Sequence, residues 1–404
     1  MHILLIHQAF AAMDEPGGTR HHEFARLLVE KGHRISIIAS PVSYLTGSKD
    51  SEKKTRSEQD GKITIYRTST YSALHKSFFH RIISFVSFMV SSFFQSLRIR
   101  SVDVVWGTSP PIFQCITAWL IARIKGAKFI LEVRDLWPAF AVAVGVLKNK
   151  IVISLSQWLE RFLYRRADQV IVNSPGYIQH VKKRGAKHVS MVPNGADASF
   201  FKVNETSKLR KRLGWSDTFI LLYAGAHGMS NDLQTVLAAA ELIKARKDIR
   251  IVLLGDGKEK HNLMQEAKTR TLTNVQFLDP VSKNKIADYL NAADACLAIL
   301  KPIALYKTTY PNKVFDYMAA GKPIVLAIDG VIREVVEDAR CGYFCQPGDI
   351  REIAGCIQKM CDLNADTRRT MGQNGRQYLL THFDRRATVD QFSDIMEKIV
   401  KNYG

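Results

Sequence analysis

The segment from Tyr310 to Gly330 has the residues best suited to chemistry. It reads YPNKVFDYMAAGKPIVLAIDG, in which a polar Pro-Asn-Lys turn enters a short helix that ends at an Ala-Ala-Gly turn before an apolar strand. Helix N-termini expose unpaired backbone N–H groups and a partial positive charge, and both features favour anions. Lys313 lies at this helix start, and Asp316 follows one turn later. We therefore predict that the segment binds a phosphate-bearing ligand.

The same segment resembles the donor site of the family 4 retaining glycosyltransferases, which have the two-domain glycosyltransferase B fold. In that family an acidic residue precedes a Met-Ala-(Ala/Cys)-Gly turn, and Asp316 occupies that place. The resemblance covers nearly the whole chain, including a glycine loop near the N-terminus and VPNGAD at 192–197. It implies a glycosyltransferase of the bacterial surface-polysaccharide type that uses a nucleoside diphosphate sugar, with a UDP-linked sugar as the expected donor.

The length of the chain predicts two domains. Its 404 residues exceed what one hydrophobic core normally holds, so two domains of about 200 residues each are expected. Short apolar runs recur as strands, with helix-period stretches between most of them. This alternation predicts an α/β protein with two doubly wound, Rossmann-like domains facing across a cleft. The strands are expected at His2–Ile6, Ile35–Ala39, Ile63–Arg67, Val102–Trp106, Phe129–Val133, Gln169–Asn173, Phe219–Ala224, Ile249–Leu254, Val275–Leu278, Ala295–Ile299 and Ile324–Ala327.

We expect the domain boundaries at a Pro-Asn-Gly turn. Residues 1–192 form the predicted N-terminal acceptor domain, 193–205 the linker, and 206–384 the C-terminal donor domain. The last stretch, 385–404, has apolar residues on one helical face, and the family resemblance implies that this helix packs back on the first domain.

Charge and cysteine content limit the possible partners and compartments. The formal net charge is +19, and residues 1–200 contribute +13 of it, with 27 Lys and Arg against 14 Asp and Glu. No nucleic-acid-binding signature is present, so we expect no nucleic acid partner and favour an anionic membrane surface or a phosphorylated substrate. The six cysteines do not form a dense disulfide framework. The N-terminus begins as an apolar strand without a secretory signal, and we expect a cytoplasmic protein, peripheral at the inner face of the cytoplasmic membrane.

An apolar segment at 82–97 carries no charge, but it is shorter than the roughly 20 residues that a bilayer core requires. A narrow stripe of polar side chains recurs at helical spacing along it. Three interpretations stay open for this segment. It could be a core helix with a serine edge, an in-plane membrane helix flanked by arginines, or a transmembrane span. The stripe consists of His80, Ser84, Ser87, Ser91, Gln95 and Arg98, and the flanking arginines are Arg81, Arg98 and Arg100.

Two polar segments of the first domain are candidates for the site. Gly17 and Gly18 end the loop after the first strand and open a helix, where a backbone without side chains admits a bulky ligand. This loop lacks the spaced three-glycine pattern of nicotinamide enzymes, which argues against a dehydrogenase. The string EVRDLWP begins at Glu132 and places three charges after a strand. Arg134 and Asp135 are our catalytic candidates, and a salt bridge from Arg134 to Glu132 or Asp135 is the structural alternative.

Two glycine loops of the second domain complete the predicted donor site. Gly225 and His227 follow its first strand, and Gly255 follows its second. The resemblance implies an Arg and a Lys after the first loop, but this chain has Met-Ser-Asn-Asp there. We therefore expect phosphate binding by backbone N–H groups, by His227 and by Lys313, with a plain surface lysine as the alternative for Lys313.

The family motif also implies two glutamates eight positions apart, the first for the donor sugar and the second for the ribose hydroxyls. Asp316 can keep the ribose role because a carboxylate accepts two hydrogen bonds from a vicinal diol. Thr308 stands at the other position and cannot supply the same charge.

These residues, together with the family resemblance, lead to a functional prediction. We expect a retaining glycosyltransferase of hexosyl or N-acetylhexosaminyl type, without cofactor or metal, since no Asp-x-Asp pair is present. The expected acceptor is a polyprenyl-diphosphate-linked or other glycan in O-antigen, capsule, exopolysaccharide or lipopolysaccharide biosynthesis. Two alternatives remain: a sugar-nucleotide 2-epimerase of the same fold, and a noncatalytic nucleotide-sugar-binding partner.

Overall fold

The computed structural model describes residues 1–15, 17–43, 55–72, 78–201 and 207–401. The last part of the predicted linker, 202–205, and the end of the chain, 402–404, lie outside the described residues. The chain forms two compact units, one of Met1–Pro193 with Arg386–Gly404 and the other of Asn194–Arg385.

The first unit is a doubly wound α/β structure. Its strands are β1 His2–Ile6, β2 Arg34–Ala39, β3 Arg56–Glu58, β4 Ile63–Arg67, β5 Val104–Ser109, β6 Lys128–Val133, β7 Gln169–Val172 and β8 Val189–Met191. Its helices are α1 Arg20–Glu30, α2 Phe78–Leu97, α3 Phe113–Lys125, α4 Ala139–Ala143, α5 Lys150–Arg166 and α6 Ile178–Lys183. The strand order is β3-β4-β2-β1-β5-β6-β7-β8, and only the edge strand β3 runs antiparallel to its neighbour.

This strand order assigns the helices to opposite faces of the sheet. The chain moves from β1 to β2 in one direction, and from β4 through β5 and β6 to β7 in the other. Because parallel crossovers are right-handed, α1 covers one face and α2, α3 and α5 cover the other. The close fit of α3 is visible at Gly107 on β5, where an added Cβ would lie 2.8 Å from the Ala118 Cβ.

The C-terminal helix α15, Arg385–Lys401, packs on the α1 side of this sheet. Its Phe392 ring lies 4.6 Å from Trp106 on β5 and 5.6 Å from Phe24 on α1, centroid to centroid. All three rings are buried. The last helix therefore supplies part of the core of the first unit, although it is nearly 200 residues distant along the chain.

The second unit repeats the architecture. Its strands are β9 Phe219–Ala224, β10 Ile249–Leu254, β11 Val275–Leu278, β12 Ala295–Ile299, β13 Ile324–Ala327 and β14 Gly342–Phe344. Its helices are α7 Ser207–Leu213, α8 Leu233–Leu242, α9 Lys260–Thr269, α10 Lys283–Ala292, α11 Asn312–Ala319, α12 Val331–Asp338, α13 Ile350–Asp362 and α14 Ala365–His382. All neighbouring strands are parallel, in the order β11-β10-β9-β12-β13-β14.

The predicted fold class is confirmed: both units are Rossmann-like with parallel sheets. Most strand bounds agree with the apolar runs to within two residues at each end. The β5 run is an exception because the strand continues through polar residues to Ser109. The three-residue strands β3, β8 and β14 were not predicted, since such short segments have no alternation to detect.

Candidate functional site

In each unit the strand order reverses at one central strand, and ligands of doubly wound folds bind at the carboxyl end of that position. The central strand is β1 in the first unit, between β2 and β5, and β9 in the second, between β10 and β12. Gly17 and Gly18 come after β1, Gly225 and His227 after β9, and Gly255 after its neighbour β10. Arg134 and Asp135 come after β6, two strands away from β1, and Lys313 and Asp316 lie on α11.

The loops after β9 and β10 in the second unit pack backbone against backbone. Gly255 has a φ of +148°, and a Cβ there would lie 1.9 Å from the carbonyl oxygen of Gly225. Gly257 has a φ of +155°, and its added Cβ would lie 2.5 Å from the carbonyl oxygen of His227. The His227 N–H donates to the Asp256 carbonyl at 2.8 Å and joins the loops further. Only glycine permits this approach, so the predicted glycines are required for the geometry of the edge.

His227 is 0% exposed, and neither ring nitrogen has a hydrogen-bond partner within the described residues. Burial, with help from Lys260 and Lys313, lowers the pKa of His227 to about 4. The imidazole is therefore neutral at physiological pH. His227 can offer a hydrogen bond at this edge, but it cannot supply the positive charge predicted for phosphate binding.

Lys313, the second residue of α11, is a cation at this edge. Its Nζ lies 3.9 Å from the Tyr223 ring centroid, 3.3 Å from Asn231 Oδ1, and 3.1 Å from where a Cβ on Gly225 would be. The side chain is half-buried, and desolvation lowers the pKa of Lys313 to about 7. In the described part of the chain, no carboxylate lies within ion-pair distance of the amine. Lys313 is thus not a plain surface lysine, and an anion bound there would provide the missing counter-charge.

Asp316 faces a different cation. Its Oδ1 accepts a hydrogen bond from Lys283 Nζ, at the start of α10, at a distance of 2.6 Å. The side chain keeps 24% exposure, so it remains accessible. Lys283 was not singled out from the sequence because α10 lies about 30 residues earlier in the chain. The ribose role of Asp316 stays a prediction.

Hydrogen bonds near both ends of helix α11 hold it in place. Asn194 Nδ2 donates to the Tyr310 carbonyl at 2.7 Å, directly before the helix-opening Pro311. Tyr317 Oη accepts from the Ala224 N–H at 3.0 Å, which joins the helix to the end of β9. The VPNGAD motif therefore has a positioning function, since its Asn194 supports the turn into α11.

The loop that follows His227 is hydrogen-bonded to the segment that follows β12. The Lys301 N–H donates to the Ser230 carbonyl at 3.0 Å, and Ser230 Oγ accepts from Tyr306 Oη. Lys301 is half-buried next to Asp232, and it was not predicted from the sequence. Thr308, at the position of the missing acid, donates its hydroxyl to the Leu305 carbonyl at 2.6 Å.

In the first unit, the charges at the carboxyl edge are paired. Glu132 is fully buried and accepts from His21 Nε2 at 2.6 Å and from Arg20 Nε at 3.2 Å. Burial alone would raise the pKa of Glu132, but His21 and Arg20 hold it well below its usual range. Burial lowers the pKa of His21 to about 4, so a neutral imidazole donates to an ionised carboxylate.

Arg134 does not form either of the predicted salt bridges within the described residues. Its Nη2 donates to the Pro110 carbonyl at 3.0 Å and lies 3.2 Å from His7 Nε2. Glu132 is unavailable because Arg20 and His21 occupy it, and Asp135 is exposed. His7 follows β1 directly, and burial with the nearby His21 and Arg134 lowers its pKa well below the ordinary value. The sequence analysis missed His7, whose signal was its position after the central strand.

Gly17 and Gly18 lie in the loop that leads into α1. Gly17 has a φ of +142°, and a Cβ there would lie 3.0 Å from the Ala11 Cβ, whereas Gly18 has no neighbour within 4 Å of an added Cβ. The first helical residue, Arg20, connects this loop to Glu132 and to the carbonyls of Val192 and Pro193. The predicted glycine loop and the start of EVRDLWP therefore meet at one edge, through residues that the sequence analysis did not name.

Among the described residues, no cluster of three or more His, Cys, Asp or Glu side chains is placed to hold a metal ion. The described cysteines are all free thiols.

Comparison with known proteins agrees with this geometry. Residues 17–195 match the model described as "Glycosyl transferase 4-like domain", and 205–378 match "Glycosyl transferases group 1". A curated relative is the "Putative colanic acid biosynthesis glycosyl transferase WcaI" of Escherichia coli (strain K12), 26% identical over 83% of each chain.

Two solved structures show the same fold. Sucrose-phosphate synthase from Thermosynechococcus elongatus has a TM-score of 0.81 at 17% identity and covers 99% of each chain. HepE of Anabaena, solved in complex with UDP and glucose, has a TM-score of 0.74 at 16% identity and covers 98% of this chain and 100% of its own. The two family models together span nearly the whole chain, which therefore belongs to the family 4 type of glycosyltransferases with the glycosyltransferase B fold.

Proposed function

We propose that this glycosyltransferase moves a sugar from a nucleoside diphosphate sugar, most simply a UDP-sugar, to a glycan acceptor with retention at the anomeric carbon. The observation that carries the proposal is the half-buried Lys313 amine of α11, which lies beside Tyr223 and Gly225 at the end of β9 and has no carboxylate within ion-pair distance among the described residues. The complex of HepE with UDP and glucose, in the same fold, supports UDP as the nucleotide.

The barrier of this reaction is the departure of a nucleoside diphosphate from an oxocarbenium-like centre. Lys313 and the backbone N–H groups at the start of α11 would stabilise negative charge on the leaving phosphates. Asp316, oriented by Lys283, would accept hydrogen bonds from the ribose. In the first unit, Arg134 and Asp135 remain the proposed catalytic groups, and Gly17 and Gly18 remain proposed contributors to donor binding.

The acceptor class is part of the proposal. We place the enzyme in surface-polysaccharide biosynthesis, supported by the relative named for colanic acid biosynthesis, with a lipid-linked or free glycan as acceptor. The proposed location is cytoplasmic, peripheral at the inner face of the membrane. No helix in the described ranges is long and apolar enough to cross a membrane.

A panel of nucleotide sugars measured by thermal shift tests the donor, because a bound ligand raises the melting temperature with its saturation. The expected result is a shift with UDP and one UDP-sugar, followed by UDP release and an α- or β-linkage that matches the donor anomer. Release of free epimerised nucleotide sugar without transfer would instead indicate the 2-epimerase. Binding without transfer or epimerisation would indicate the noncatalytic nucleotide-sugar-binding partner, and absence of binding to every nucleotide sugar would contradict the proposed donor. Unchanged turnover in EDTA is expected for the proposed metal-independent reaction.

A further inference from the structure

Helix α2 buries several serine side chains and exposes several apolar ones, although an amphipathic helix usually exposes its polar side chains. Three of its serines, Ser84, Ser92 and Ser96, are fully buried, and Ser84 Oγ accepts from Gln8 Nε2 at 3.3 Å. The outward side is apolar instead, and its Phe94 ring is 60% exposed. The exposed apolar residues of α2 are Phe79, Val86, Val90, Phe94 and Leu97.

Two neighbouring helices on the same face of the sheet extend this apolar surface. Exposed apolar residues recur at helical spacing on α3, at Leu120 and Ile124, and on α5, where Trp158 is 61% exposed. Helices α3 and α5 are in contact through aromatic rings. On α5 the Trp158 ring stacks on Phe162 with centroids 5.6 Å apart, and the Phe162 ring lies 4.9 Å from that of Trp119 on α3. The outer surface of α2, α3 and α5, with the apolar residues Phe79, Val86, Val90, Phe94, Leu97, Leu120, Ile124, Ile151, Leu155 and Trp158, is called the three-helix face.

The exposed charged residues on the three helices are all basic. Only one acidic residue lies on these helices, Glu160, and it is fully buried and paired with His180 and Arg184. The exposed basic residues on the helices and directly flanking them are Arg98, Arg100, Arg123, Lys148, Lys150, Arg161, Arg165 and Arg166. An apolar surface with a cationic rim complements a bilayer that carries anionic headgroups.

A groove opens beside the outward side of α2. It has a volume of about 620 Å³ and lies between the segment Ser69–Tyr71 and the helix, with Ile82, Ile83, Val86 and Val90 on its wall. Apolar walls of this kind suit a hydrocarbon chain. The groove shares Val86 and Val90 with the three-helix face, so a lipid surface would cover both.

We propose that the three-helix face seats this enzyme on an anionic lipid surface, with aromatic and aliphatic side chains in the headgroup region and the arginines against the phosphates. The inference deepens the membrane location of the proposed function and rests on it. Membrane binding strengthens with the buried apolar area and with attraction to anionic lipids, so three adjacent helices with cationic flanks should bind more strongly than α2 alone.

Vesicle flotation of the full-length protein tests the proposal. We expect binding to vesicles of phosphatidylglycerol and phosphatidylcholine at low salt, weaker binding at high salt, and much weaker binding to phosphatidylcholine alone. The triple variant Phe94→Ser, Leu155→Ser, Trp158→Ser should bind the anionic vesicles at least about tenfold more weakly, because each side chain would lose apolar burial in the membrane. The matched control is Leu242→Ser, which removes an apolar side chain of 57% exposure from the second unit and should bind as the parent does.

Charge is tested by Arg161→Gln, Arg165→Gln and Arg166→Gln together, which should reduce binding to anionic vesicles and flatten its salt dependence. UDP binding, measured on the same samples, separates this proposal from the donor assignment. A parent protein that binds UDP but stays unbound with anionic vesicles overturns the lipid surface alone, and one that floats without binding UDP supports the surface while removing the donor assignment. Self-association in the absence of vesicles that the triple serine variant abolishes would assign the face to a second copy and overturn the proposal.

Discussion

The two Rossmann-like units place polar side chains at the same position, the carboxyl edge beside the central strand, but they treat charge differently. In the first unit, the buried Glu132 is matched by Arg20 and His21 within 3.2 Å. In the second unit, the Lys313 amine meets a ring and an amide oxygen, and no described carboxylate lies close to it. A matched charge stabilises an edge once it is buried, whereas an unmatched one is costly until an anion binds. The comparison indicates a structural role for the Glu132 network and supports the proposal that the second edge binds the donor.

The largest expected effect tests the paired edge. Glu132→Gln leaves the buried Arg20 without its counter-charge, and we expect the free energy of unfolding to fall by about 3–5 kcal/mol. Chemical denaturation measures it. The control is Asp390→Asn, which removes an exposed carboxylate paired with Lys31 and should change stability by less than about 1 kcal/mol. Equal effects of the two substitutions would mean that the Glu132 network is not structural.

The free energy of unfolding should depend nearly as strongly on the contact between the loops after β9 and β10, at Gly225 and Gly255. Gly255→Ala drives a Cβ into the Gly225 carbonyl, so we expect a loss of about 3 kcal/mol in unfolding free energy together with weakened UDP binding. Gly355→Ala on α13 has open space and should stabilise the protein by about 0.5–1 kcal/mol. Denaturation curves of both variants decide the point, and a neutral Gly255→Ala would contradict the close contact of the loops.

Lys313→Met should leave the fold intact and weaken UDP binding by about 10–100-fold, because it removes a charged hydrogen-bond donor from the diphosphate. Isothermal titration with UDP measures the change. The matched control is Lys307→Met, an exposed lysine paired with Asp329 in the same unit, which should bind UDP normally. If Lys313→Met keeps the parent affinity, the contrast between the two edges no longer identifies the donor site.

The pH dependence of UDP affinity follows from the lowered pKa of Lys313, about 7 in the free protein. A bound diphosphate raises this pKa, so binding takes up a proton at pH values between the free and the bound pKa. Affinity should therefore be highest below pH 7 and fall by up to about tenfold per pH unit above it, apart from the titration of UDP itself. Lys313→Met should remove this slope, and an identical slope in the variant would assign it to another group.

The smallest expected effect concerns Asp316. Asp316→Asn should weaken UDP binding by about fivefold to tenfold if the carboxylate accepts from the ribose, since one charged hydrogen bond is replaced by a neutral one. Comparing UDP with inorganic diphosphate sharpens the test, because only UDP has a ribose. Equal losses for both ligands would show that Asp316 acts only through its contact with Lys283.

The sequence by itself determined the local elements and predicted a class of ligand. Strands such as Phe219–Ala224 are continuous apolar runs, and the Pro-Asn-Lys turn into α11 is a helix start that local backbone geometry suits to anions. Short-range patterns were sufficient there because the forces concerned act within a few residues.

Tertiary structure decided which polar groups meet. His21 and Glu132 are 111 positions apart, and the sequence alone offered Arg134 as the partner of Glu132 because it was close along the chain. The sequence also did not determine which side of α2 faces the core, for a related reason. An apolar helix with a serine stripe has no clear inner side until Gln8 and the neighbouring loop provide partners for the serines. Pairing and orientation depend on contacts between distant segments, and only the folded sheet brings those segments together.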